Sequence, residues 1–238
     1  RLATDSGTKG SPAGEALKKW GELIEEKSGG EIKTRVFYQN ELGGQQEVFD
    51  LHVAGDVDVM LNWPMTSYDK RIGVIYTPYM TLSWDEALKA YSPGGWVNNM
   101  LGNVYNDIGL KFFGPWPEGF NGVGSRGKYA LNIADADGLK VRTMTVFPAP
   151  QTMQALGYQT ATIDWSEVFT AIQTGVVPSL FGVSTFAPSS ASSLTTSKWP
   201  TCVAIQAGVV PVFFGVSTFA PSSASSLTIS KWPSCAAK

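Results

Sequence analysis

Apolar and polar positions change period several times along the chain, and each change marks an element. In residues 11–28 the apolar side chains recur at helical spacing, with Ala16, Leu17, Trp20, Leu23 and Ile24 on one face. Ser11 can cap the first free N–H groups, Pro12 suits the first helical position, and Gly29-Gly30 ends the run. Glu31 to Tyr38 carries the β-branched and aromatic content of a strand. A second helix is expected from about Gln45 to Ala54, stopped by Gly55, and Val57 to Leu61 reads as a buried strand. Strand, helix and strand with short links predict a parallel α/β sheet.

The same alternation continues. Trp84 to Tyr91 and Trp96 to Asp107 read as helices, Leu110 to Phe113 as a strand, and Gly119 to Ser125 as an extended crossing segment. Gly138 to Arg142 gives a strand, and Ala149 to Leu156 and Trp165 to Thr174 give helices closed by Gly157 and Gly175. The Gly- and Pro-rich stretch Pro115 to Gly124 is the candidate crossover between two lobes, the first over 1–118 and the second over 119–177.

After Val177 the pattern breaks. Residues 171–200 recur at 204–233, differing only at Thr174/Ala207, Ser179/Val212, Leu180/Phe213 and Thr196/Ile229. Two units are too few for a solenoid, and the unit is Ser-rich without an amphipathic helix pair. A recent duplication and a recording error would both give this pattern, so no function is built on 178–238.

Composition narrows the classes. The 238 residues are 43% hydrophobic and 16% charged, as in an ordinary globular protein with a sizeable core. A net charge of −2 leaves no basic field for nucleic acid. No apolar run approaches the roughly 20 residues that span a bilayer. The start, Arg1-Leu2-Ala3-Thr4, fits a processed or trimmed chain, although a cloning origin would read the same. Cys202 and Cys235 allow one disulfide in an oxidising compartment. Eight Trp are a rich supply of flat apolar faces. No CxxC pair, HExxH, P-loop or GxSxG is present, so no metal or cofactor is expected, and a ligand is expected to be bound rather than transformed. The lone His52, between Leu51 and Val53, reads as a helix-face or buried histidine.

Several segments together carry a resemblance: Glu26-Lys27-Ser28-Gly29-Gly30-Glu31-Ile32 with Asn40-Glu41-Leu42-Gly43-Gly44, then Ala54-Gly55-Asp56-Val57-Asp58, then Gly138-Leu139-Lys140-Val141-Arg142 with Ala155-Leu156-Gly157, and last Trp165 to Gly175. In this order over residues 1–177 the chain resembles the DctP-type solute-binding proteins of TRAP (tripartite ATP-independent periplasmic) transporters. The resemblance implies a two-lobed, periplasmic-binding-protein-like α/β fold, with crossing strands and a ligand cleft between the lobes. It implies an exported bacterial periplasmic protein that captures a small organic acid and delivers it to a small and a large integral membrane subunit. Two rivals are a carboxylate-sensing receptor domain of the same fold, and an enzyme acting on a carboxylate with Asp5 or Glu118 as base. The family's chains continue into a helical C-terminal portion, whereas this sequence enters the repeat. The family also supplies a ligand-contacting Asn after the Gly-Val-Val segment, which Pro178 and Ser179 do not reproduce.

Arg142 is the leading candidate. It ends a strand, where an α/β fold places ligand groups, and a guanidinium grips a carboxylate with two parallel hydrogen bonds. The resemblance makes it the carboxylate-binding arginine; without the motif it would read as a surface residue beside a strand. Trp165, at a helix start, matches a position that presents a ring to the ligand, against the alternative of a core Trp. Trp63 and Asn62 follow a buried strand of the first lobe, and Asp5 follows the first strand as a polar contact or a simple turn residue. Asn121 and Glu118 lie in the crossover. Arg126 could add a second cation, with Lys128 beside it, but solvated surface is the default for both. Relatives with a second arginine carry it where Asn121-Gly122 stand here. With Asp5 and Asn62 on the first lobe, a second ligand carboxylate would be repelled. A sugar acid or a zwitterion such as ectoine is therefore expected over a C4-dicarboxylate.

Overall fold

The computed structural model describes residues 1–125, 128–184 and 203–217. Its helices are α1 (Pro12–Lys27), α2 (Gln45–Ala54), α3 (Trp84–Tyr91), α4 (Trp96–Asp107), α5 (Ile133–Ala136), α6 (Ala149–Ala155) and α7 (Trp165–Gln173), with a 3-10 helix at Lys70–Tyr76. The strands are β1 (Leu2–Thr4), β2 (Val36–Phe37), β3 (Val59–Asn62), β4 (Leu110–Ser125), β5 (Lys140–Thr143), β6 (Gln159–Thr162), β7 (Ser179–Ser184) and β8 (Val203–Ser217).

The helix termini are where local chemistry puts them. Ser11 Oγ accepts from Gly14 N at 3.1 Å and Pro12 opens α1. Gly44 and Gly55 bracket α2, and Gly55 at φ 87° takes the left-handed conformation that closes a helix with little strain. Ser83 caps α3.

All eight strands form one sheet in the order β2-β1-β3-β8-β4-β7-β5-β6. β1 pairs in parallel with β2 and β3 at one end, and β5 pairs in parallel with β6 and β7 at the other. The two long strands between them, β4 and β8, run antiparallel and carry the chain from one lobe to the other. β4 therefore replaces the two separate segments, Leu110–Phe113 and Gly119–Ser125, that the sequence suggests. Its register with β8 shifts between Phe112/Gly114, Pro117/Gly119, Phe120/Asn121 and Asn121/Val123, so irregular pairing absorbs the prolines and glycines instead of ending the strand. The strand expected over Glu31–Tyr38 shrinks to Val36–Phe37, a two-residue edge paired only to β1.

The apolar interior is continuous through both lobes. One cluster joins Phe49, Met60, Ile72, Tyr91 and Tyr105 of the first half to Val141, Val146, Met153 and Phe181 of the second. A smaller cluster seats Leu17 of α1 on Leu2, Val59 and Leu61. Among the described residues no helix is long and apolar enough to cross a membrane.

His52 lies fully buried on the core face of α2. Its Nδ1 bonds the Val57 carbonyl at 2.9 Å, so Nδ1 carries the proton, while Nε2 is buried without a partner. Burial holds its pKa below the ordinary value, outweighing the Val57 bond and the Asp58 charge, which act upward. The unfolded chain therefore takes up this proton first as the pH falls. Stability should decline below about pH 6.5 and level off once the folded form is also protonated. Thermal melts at neutral and acidic pH should show a smaller difference for His52→Gln than for wild type. Equal differences would assign the acid sensitivity elsewhere.

Candidate functional site

A cleft of about 560 Å³ opens where the carboxyl ends of β1, β3 and β5 meet. In open α/β sheets this is where ligands lie. The first lobe contributes Ser6 and Gly7 after β1, Ser11 to Ala13 at the head of α1, Gln45 at the head of α2, Trp63 and Met65 after β3, and Tyr76. Trp116 comes from β4. The second lobe contributes Arg142, Met144 and Val146 along and after β5, Trp165 at the head of α7, and Gly182 of β7.

Arg142 dominates the electrostatics. It is only 2% exposed, yet it lines the cleft. Nε donates to the Ile163 carbonyl at 2.7 Å and an Nη donates to the Phe181 carbonyl at 3.4 Å, which holds the guanidinium plane from just past β6 and from within β7. Its carbon stands 5.6 Å from the Trp165 ring centre, within cation–π range. Burial lowers its pKa to about 10, with Asp164 acting in the opposite direction, so it remains a cation at neutral pH. Among the described residues it forms no salt bridge, and no other charged side chain lines the cleft. A buried cation held in place by neutral carbonyls is incomplete without an anion.

Three helices start at this cleft, and each already has its own acid. Glu15 accepts from Gly10 N, Glu47 accepts from Gly44 N, and Glu167 lies in the first turn of α7 behind Asp164. The helix dipoles are thus answered locally, leaving Arg142, among the described residues, as the charged side chain on the cleft wall.

Trp63 and Trp165 both reach the cleft, Trp165 with 43% of its surface exposed. Asp5, Asn62 and Asn121 are buried and do not line it. Asp5 Oδ2 accepts from Trp63 N at 2.9 Å, tying the end of β1 to the end of β3 and setting the position of Trp63. Asn62 Nδ2 donates to the Trp63 carbonyl at 3.1 Å, and its Oδ1 is buried without a partner, as is Asn121 Oδ1 on β4. Glu118 lies on β4. Arg126, Cys202 and Cys235 lie outside the described residues. Lys128 is exposed and away from the cleft, with its carbonyl accepting from Ser125 Oγ.

Sequence reasoning missed Ser6, Ser11, Gln45, Tyr76 and Trp116. The rule that strand ends and the following helix heads face the crevice could have found Ser6, Ser11 and Gln45. Tyr76 carries no such mark: it arrives through the 3-10 helix and is held by donating to the Pro64 carbonyl at 2.8 Å.

Comparison with known proteins points in one direction. The family model described as bacterial extracellular solute-binding protein, family 7 (DctP), matches residues 4–190. The Salmonella typhimurium protein YiiZ is 29% identical over 178 residues, covering 70% of this chain and 51% of its own. The chain thus spans about half the length of relatives it matches in sequence. Among solved structures, the periplasmic ectoine-binding protein of the TeaABC TRAP transporter of Halomonas elongata superposes with a TM-score of 0.76 at 18% identity, over 91% of this chain and 68% of that one. A TRAP periplasmic solute-binding protein from Chromohalobacter salexigens with bound D-glucuronate gives 0.78 at 20%, over 91% and 70%.

Proposed function

We propose a function from one premise, that the chain belongs to the DctP family of bacterial extracellular solute-binding proteins: it captures a small carboxylate in the periplasm and delivers it to a TRAP-type transporter. The observation that carries this reading is Arg142, a buried cation on the cleft wall with no salt bridge among the described residues. A carboxylate supplies the missing charge and fits the planar fork of donors. Trp63, Trp116 and Trp165 offer flat faces for the rest of the ligand.

The ligand carries one carboxylate, and a sugar acid or a zwitterion such as ectoine is favoured over a C4-dicarboxylate. Support comes from the single cation on the described wall and from Asp5 buried behind it. Asp5 Oδ2 stands 2.9 Å from the backbone N of the wall residue Trp63, so a second ligand carboxylate on that wall would lie near a like charge. No transformation of the ligand is proposed: Asp5, one of the two candidate bases, is tied to Trp63 N and does not line the cleft.

A thermal-shift panel tests the reading, because ligand at 100 times its Kd adds about 2.7 kcal/mol of stability. D-glucuronate or ectoine should raise the melting temperature most, succinate less, and neutral D-glucose not at all. A larger shift with glucose would overturn carboxylate capture, and a largest shift with succinate would overturn the single-charge preference.

A further inference from the structure

Gln45 is a polar side chain in a place where an unpaired one is costly. It opens α2, is only 8% exposed, lines the cleft, and among the described residues its amide has no hydrogen-bond partner. Its amide faces the cleft, where water or a ligand group can pair it. Its position says what it meets. The preceding residue, Gly44, abuts Asp164 of the second lobe so closely that a side-chain carbon at 44 would stand 2.9 Å from Asp164 Oδ2. The next residue on each side of that seam, Gln45 and Trp165, lines the cleft. Gln45 is therefore the first lobe's polar group at the point where the lobes come together over a ligand gripped by Arg142.

The amide is neutral. It offers two donors and an acceptor, and it compensates no charge. Beside it on the first-lobe wall stand the Trp63 indole N–H and three hydroxyls: Ser11, already engaged with Gly14 N and the Thr8 carbonyl, Tyr76, engaged with Pro64, and Ser6, whose Oγ is buried without a partner. We propose that Gln45 is the specificity-determining residue of the cleft, selecting monocarboxylates that carry hydroxyl groups away from the carboxylate. This rests on the carboxylate-capture reading above and narrows its ligand class. A site with an unpaired polar group rejects an analogue that lacks the matching group far more strongly than an apolar pocket rejects a change of size.

Titration calorimetry with four probes tests it: D-glucuronate, cyclohexanecarboxylate (a six-membered ring with the carboxylate but no hydroxyls), succinate and D-glucose. Wild type should bind D-glucuronate at least about 100-fold more tightly than cyclohexanecarboxylate. Gln45→Leu, similar in volume, should weaken D-glucuronate about 10-fold while leaving cyclohexanecarboxylate unchanged or tighter. Gln45→Ala serves the same purpose if the Leu variant melts well below wild type. Equal weakening of both ring ligands, or no weakening of either, would overturn the role of Gln45 while leaving carboxylate capture intact. Tightest binding of succinate or cyclohexanecarboxylate by wild type would overturn the ligand class alone. Binding of D-glucose in place of every carboxylate would overturn capture itself, and this inference with it.

Discussion

Replacing Arg142 by Ala should abolish most carboxylate binding, costing about 3–5 kcal/mol, or more than about a hundred-fold in Kd for D-glucuronate. The size follows from geometry. The guanidinium is held by the Ile163 and Phe181 carbonyls, so it need not be ordered when the ligand arrives. Removing it leaves the ligand's charge buried beside apolar walls with nothing to answer it. Arg142→Lys should recover little, because an ammonium cannot replace both the fork to the ligand and the bonds to two carbonyls. Calorimetry on both variants checks this. An Ala variant within a few-fold of wild type would remove Arg142 from the site.

Phe49→Ala should have an effect of similar size on a different property. Phe49 is fully buried on α2, within the cluster shared by both lobes, and meets the edge of Tyr68 at 5.6 Å between ring centres. Truncating a buried aromatic costs about 3–5 kcal/mol through lost burial and the cavity left behind. Phe49 does not line the cleft. D-glucuronate affinity measured well below the melting temperature should therefore stay within a few-fold of wild type, although denaturant unfolding shows the full loss. Parallel loss of affinity would mean that α2 positions the cleft more delicately than its packing indicates.

Much of this architecture was legible in the sequence because its endpoints are chemically marked. Ser11-Pro12 and Gly55 delimit helices by satisfying or sparing backbone groups, and those boundaries match the structure. Elements lacking such marks were missed. β6, Gln159–Thr162, is polar and has no apolar alternation; among the described strands it pairs with β5 alone. The 3-10 helix Lys70–Tyr76 is as rich in β-branched residues as a strand, and only the Asp69 cap, accepting from Arg71 N, marks its start. The repeat shows most clearly where local reading stops. Ala171-Ile172-Gln173 closes α7, while the same three residues at 204–206 lie in β8. In the first copy they continue a helix begun at Trp165, so nucleation is already complete. In the second they follow other residues and fall within β8 between Val203 and Ala207, which pair with Val123 and Asn121 of β4. The site divides in the same way: Arg142 stands in a recognisable motif, whereas Tyr76 and Trp116 are ordinary residues that only the packing of the chain brings to the cleft wall.

The central claim is that the cleft selects its ligand by a carboxylate set on Arg142. Native mass spectrometry of the wild-type protein, equilibrated with equal concentrations of D-glucuronate and D-glucose, tests it without any substitution. The two compete with nearly the same ring and hydroxyls and differ in the charged group, so the mass of the adduct reports the choice directly. A single adduct at the mass of glucuronate is the predicted result. An adduct at the mass of glucose, or the two in equal amounts, would contradict it.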